Sequence, residues 1–156
     1  MNSSETRLDP LIELFDEVIR LNGRMKSAFA GSRRAVGLAE SPMMVLAAVC
    51  GAKHPPTVSQ IARSLGQPRQ IVQRAANALM DEELIEPRDN PDHKRAPLLV
   101  ATAAGQAVKR RADERAAELS AALAPAVEGR ELPRLAGELR ELRTALQARL
   151  REMGEL

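Results

Sequence analysis

Tryptophan and tyrosine are absent from this chain and phenylalanine occurs only twice, so few side chains can stack on an aromatic ligand. One cysteine, Cys50, excludes an intrachain disulfide framework and agrees with a reducing compartment. It ends an apolar helix, where a free thiol packs as a small hydrophobe. Two histidines, that single cysteine and no glycine-rich phosphate loop leave no nucleophile–base pair or metal set, so the chain is not expected to be an enzyme, a reading that only a cleft converging on His54 or His93 would revive. Cys50 and His54 have the spacing of one helical turn, but Pro55 and the lack of further ligands argue against zinc. No metal and no cofactor are expected. The longest apolar run, Met43 to Cys50, is too short to span a bilayer, and the polar opening Met1-Asn2-Ser3-Ser4-Glu5 lacks a signal-peptide core. The expectation is a cytoplasmic protein.

What is present suits one domain with a modest core, or a subunit whose core a partner completes: 156 residues, 44% hydrophobic and 28% charged. The formal net charge of +2 says little about partners, but its distribution says more. From Thr57 to Met80 there are three arginines and no acid; Asp81 to Asp92 then carries six acids against one arginine; Lys94 and Arg95 restore positive charge.

In chain order, Asp9-Pro10 is a cap and a first-turn proline opening a helix through Leu11, Leu14, Phe15, Val18, Ile19, Met25 and Phe29, with Gly31 as its stop. Ile12 and Leu21 widen its apolar stripe beyond what one neighbouring helix covers, which points to a second subunit or to an unusually buried helix. Arg33 and Arg34 are placed in the following loop. Ser41-Pro42 starts a second helix, apolar on every side and ending at Gly51, which belongs in the middle of a domain.

Thr57 to Gly105 organises the chain. Thr57 and Gln60 form a capping box for a helix whose Val58, Ile61, Ala62 and Leu65 share a face and whose stop is Gly66. Pro68 opens the next helix, with Ile71, Val72, Ala75, Ala76 and Leu79 inward and Arg69, Gln70, Gln73, Arg74 and Asn77 outward. Arginine pairs with guanine edges, glutamine and asparagine with adenine edges, and all of them hold phosphates. An ordinary solvated helix face has the same composition. Two short apolar runs, Leu84 to Glu86 and Leu98 to Thr102, flank the turn-rich Asp89 to Arg95, as in a hairpin whose tip carries Lys94 and Arg95. Such a tip can place an arginine in a minor groove. Four of the acids precede this segment and Asp89 and Asp92 lie within it, so DNA binding requires them to face away from the duplex.

Thr102 caps a long helix through Val108, Ala112, Ala116, Leu119 and Leu123, broken at Pro125 and Gly129. The last helix repeats Leu132, Leu135, Leu139, Leu142 and Leu146, then Leu150 and Met153, close to a heptad seam that needs a partner helix.

Thr57 to Gly105 resembles the winged helix-turn-helix of MarR-type bacterial transcriptional regulators. The matches are Val58-Ser59-Gln60-Ile61-Ala62 with Leu65-Gly66, Leu79 to Ile85, and Arg95 through Thr102 with Gly105; the flanking helices fall in the family's order. The family commonly has glycine where Glu83 stands. The resemblance implies a mainly α fold with a small β-hairpin wing, an N-terminal dimerisation helix over 1–35, a DNA-binding domain over 36–105 and C-terminal dimerisation helices over 106–156. It implies a homodimeric repressor on double-stranded DNA at a pseudo-palindromic operator, with Arg69, Gln70, Gln73, Arg74, Asn77, Lys94 and Arg95 as the DNA-binding residues. A small-molecule effector of unknown identity would sit near Met25, Phe29, Met43 and Met44, although such a stripe is more often plain core. A winged-helix module that binds proteins rather than DNA is the alternative, favoured by the zero net charge over Thr57 to Gly105.

Overall fold

The computed structural model describes residues 9–154, so the polar opening Met1 to Glu5 lies outside the described residues. The elements run α1 (Pro10–Ala35), α2 (Glu40–Gly51), α3 (Val58–Leu65), α4 (Arg69–Asp81), β1 (Ile85–Arg88), β2 (Leu98–Ala101), α5 (Ala103–Leu123), a short 3-10 turn (Ala124–Val127) and α6 (Leu132–Glu152). The chain divides after Ser120 into two units.

In the first unit the core is laid down by α2, α3 and α4 and closed by the root of the hairpin. Val45 and Leu46 of α2, Ile61 of α3, Val72 and Leu79 of α4, Ile85 of β1 and Leu99 of β2 are its fully buried side chains. The all-round apolar α2 is central, as its composition predicts, and the inward face of α4 is the expected one, with Ile71 partly covered. The two strands pair antiparallel with Ile85 opposite Ala101 and Arg88 opposite Leu98. Leu99, opposite Pro87, turns its N–H outward to the Pro56 carbonyl at 2.8 Å, so the proline costs the ladder no bond and the α2–α3 connection is fastened to β2.

The capping box is formed: Gln60 N–H donates to Thr57 Oγ1 at 3.3 Å and Thr57 N–H to Gln60 Oε1 at 2.8 Å. Asp9 likewise caps α1 through Leu11 N–H at 2.8 Å. Three helices of this unit end in one motif, in which a left-handed residue lets the next N–H reach back five residues: Leu38 to Arg33, Gln67 to Ala62 and Leu84 to Leu79. The left-handed residues are Gly37 (φ 77°), Gly66 (φ 63°) and Glu83 (φ 55°).

Three boundaries differ from the sequence expectation. α1 continues through Gly31 to Ala35, because a single glycine costs a helix only about 1 kcal/mol and Gly37 makes the stop. Arg33 and Arg34 therefore lie in the last helical turn rather than in a loop, and Arg33 donates to the Lys26 carbonyl at 3.0 Å. α2 starts at Glu40 after Ala39, without the cap expected of Ser41, and Pro68 stands just before α4 instead of inside its first turn.

Thr102 Oγ1 accepts from Gly105 N–H at 3.1 Å and donates to the Glu83 carbonyl at 2.7 Å, joining the start of α5 to the end of α4. Gly105 packs against the Leu84 backbone so closely that a Cβ there would lie 2.0 Å from the carbonyl oxygen. The second unit holds the end of α5, the 3-10 turn and α6. Leu132, Leu135, Leu139 and Leu150 of α6 and Met153 just after it are exposed, and no single helix among the described residues is long and apolar enough to cross a membrane.

Candidate nucleic-acid interface

The capping box sets the start of α3, Gly66 turns the chain into α4, and the Leu99–Pro56 bond holds the hairpin beside both helices. Between them lies a cleft of about 720 Å³. Arg63 reaches it from α3, Arg69 from the first residue of α4, and Arg95 and Asp92 from the hairpin tip. A smaller hollow again brings Arg69 and Arg95 together, with Gln73 on the same wall. Arg63, Arg69 and Arg95 form no ion pair among the described residues, so an incoming anion would have no carboxylate to displace from them.

Gln70, Arg74 and Asn77 are exposed on α4 outside the lining of these hollows, and Lys94 is exposed beside Arg95 without lining them. Gln73 Nε2 donates to Asn77 Oδ1 at 2.9 Å, which aligns two amides along the helix. Each retains free groups, the Gln73 oxygen and the Asn77 NH2, for base edges. Of the six acids from Asp81 to Asp92, only Asp92 lines the cleft; Glu86 pairs with Arg88 at 3.3 Å on β1. Asn90 shapes the tip, donating to the Ala96 carbonyl at 2.7 Å and accepting from Asp92 N–H at 3.1 Å.

Sequence reasoning left Arg63, His54 and His93 out of the site. Arg63 follows Ser59 by one helical turn on α3, a signal that was available; the two histidines come to line one cleft only through the fold.

A second cavity, of about 370 Å³, lies where α1, α2 and α5 adjoin, and Met25, Phe29, Met43 and Met44 all line it. Lys26, paired with Glu40 at 3.0 Å, and Lys109, paired with Asp113, give it charged walls. Gln67, in the turn between α3 and α4, donates to Met44 Sδ at 3.6 Å, while its buried Oε1 has no partner among the described residues. Cys50 is half-buried; desolvation pushes its thiol up, Lys109 acts against that shift and Asp113 adds to it. No group of three or more His, Cys, Asp or Glu that could hold a metal occurs among the described residues.

Two helices joined by a tight turn, followed by a basic hairpin, define a winged helix-turn-helix protein. Residues 36–96 match the model of the MarR family, and the chain has a winged helix-turn-helix fold. Uncharacterized proteins of Mycobacterium tuberculosis and Mycobacterium bovis are 46% identical to it over 92 residues, a stretch that is 59% of this chain and 64% of theirs. The match thus spans less than two thirds of those relatives. Among solved structures, a MarR/EmrR family regulator from Acinetobacter has the same fold with a TM-score of 0.75 at 19% identity, covering 90% of this chain and 99% of that one. A mutant MarR from E. coli complexed with operator DNA has a TM-score of 0.71 at 19% identity, covering 85% and 94%.

Proposed function

We propose that the protein is a homodimeric, sequence-specific DNA-binding transcriptional regulator, a repressor acting on a pseudo-palindromic operator. The observation that carries this reading is that Arg69, opening α4, and Arg95, in the wing, line one cleft with no paired carboxylate. In this reading α4 enters the major groove, where Arg69, Gln70, Gln73, Arg74 and Asn77 contact bases and phosphates, while Lys94 and Arg95 serve the adjacent minor groove. Residues 36–105 bind DNA; 1–35 and 106–156 hold two copies together.

The exposed apolar faces support the dimer. Ile12, Ile19 and Leu21 of α1 are 51%, 68% and 58% exposed, too much apolar surface to leave in water without a second copy to cover it. Two-fold symmetry then sets half-sites about 10 base pairs apart or a multiple of that. A small-molecule effector occupying the α1–α2–α5 cavity relieves repression by changing the separation of the two reading helices.

The test is fluorescence anisotropy and footprinting on the DNA flanking the protein's own gene. With about 6 to 10 phosphate contacts, affinity falls by roughly 10³ to 10⁵ between about 50 and 200 mM salt, and an inverted repeat is protected. Arg69→Ala and Arg95→Ala weaken binding in a folded dimer. Unchanged affinity in both variants refutes the assignment, and absence of duplex affinity leaves the protein-binding module.

A further inference from the structure

The chain has two histidines, and both line the cleft: His54 from the α2–α3 connection and His93 from the wing tip. Each stands on fastened backbone. Two residues beyond His54, the Pro56 carbonyl takes the Leu99 N–H at 2.8 Å; His93 N–H donates to the Asn90 carbonyl at 3.2 Å and its carbonyl accepts from Ala96 N–H at 2.9 Å. Both side chains are exposed. The charged groups facing them are Arg63 of α3, Arg69 of α4, and Asp92 and Arg95 of the tip, with Lys53 and Lys94 next to them in sequence.

We propose that His54 and His93 are proton-dependent phosphate-binding residues of this cleft, so that the protein takes up protons when it binds a duplex. The inference rests on the cleft being the DNA interface. A neutral imidazole offers a phosphate one N–H, whereas an imidazolium offers two and a charge. It is also the side chain that changes charge between about pH 5 and 8. A phosphate seated in the cleft neutralises the arginines and favours the protonated rings. Protonation is therefore favoured more in the complex than in the free protein, and affinity rises as pH falls through this range.

Anisotropy titrations of the full chain with its operator duplex, near pH 8 and near pH 6 and at several salt concentrations, test this. Binding tightens by roughly 5- to 10-fold per histidine toward the lower pH, and the salt slope steepens by about 0.9 for each phosphate newly neutralised. In a folded His54→Gln, His93→Gln double variant the ratio of affinities at the two pH values falls to near one and the steepening is lost. A wild-type ratio near one, or a double variant that keeps the wild-type ratio, overturns the inference while leaving DNA binding intact. Absence of duplex affinity at both pH values overturns the DNA-binding reading itself, and this inference with it.

Discussion

Replacing Glu83 with glycine is expected to stabilise the protein, and the comparison with alanine at the same site isolates the cause. Glu83 takes φ 55° to end α4, where α1 and α3 use glycine for the same turn. A Cβ in the left-handed region costs about 1–2 kcal/mol, while glycine gives back about 0.5–1 kcal/mol through its freer unfolded chain. The net gain is about 0.5–1 kcal/mol from the backbone. Glu83 also adds negative charge beside Asp81 and Glu82 at a helix C-terminus, so removing it contributes about 0.3–1 kcal/mol in either variant. Alanine shares that charge effect and keeps the Cβ. Thr102 bonds to the main-chain carbonyl of Glu83, and that bond survives both changes. In urea unfolding, with a slope of about 1–3 kcal/mol/M, Glu83→Gly has a midpoint about 0.2–1 M above Glu83→Ala. An alanine midpoint equal to or above glycine's refutes the claim that backbone strain is stored here. Gly66→Ala, the mirror case, lowers the midpoint by a similar amount.

Thr57→Ala removes the capping box of α3 and costs about 0.5–2 kcal/mol, seen as a lower Tm by calorimetry; an unchanged Tm refutes the stabilising role. Gly105→Ala drives a methyl group to 2.0 Å from the Leu84 carbonyl oxygen, and the forced backbone shift costs about 1–3 kcal/mol or more, measured as a lower urea midpoint. Burial raises the Cys50 thiol, so less thiolate is present near neutral pH; iodoacetamide should modify the folded protein more slowly than the unfolded chain, and equal rates would refute it.

Local chemistry was legible in the sequence wherever one element decides it. Thr57 and Gln60 announce the start of α3, Gly66 its end, and the inward face of α4 follows from Val72, Ala75, Ala76 and Leu79. The expected hairpin forms with its strands flanking Asp89 to Arg95. Misplaced boundaries arose where a residue type has two uses: Gly31 is accommodated inside α1, and Ser41 follows a helix start that no side chain caps. The cleft was only half legible. Arg69, Gln73 and Arg95 carry their own signal, but His54 and His93 line one cleft because the bond from Leu99 to Pro56 fastens distant segments together, a pairing that no local pattern encodes.

Met44 has two duties at once. Its sulfur accepts the Gln67 amide from the bend that aims α4, and its side chain also walls the cavity beside α1 and α5. A guest that needs the volume held by Met44 must pull that sulfur from the amide, orphaning the second end of a glutamine whose first end already lacks a mate. A single thioether thus joins the packing of that cavity to the turn between α3 and α4.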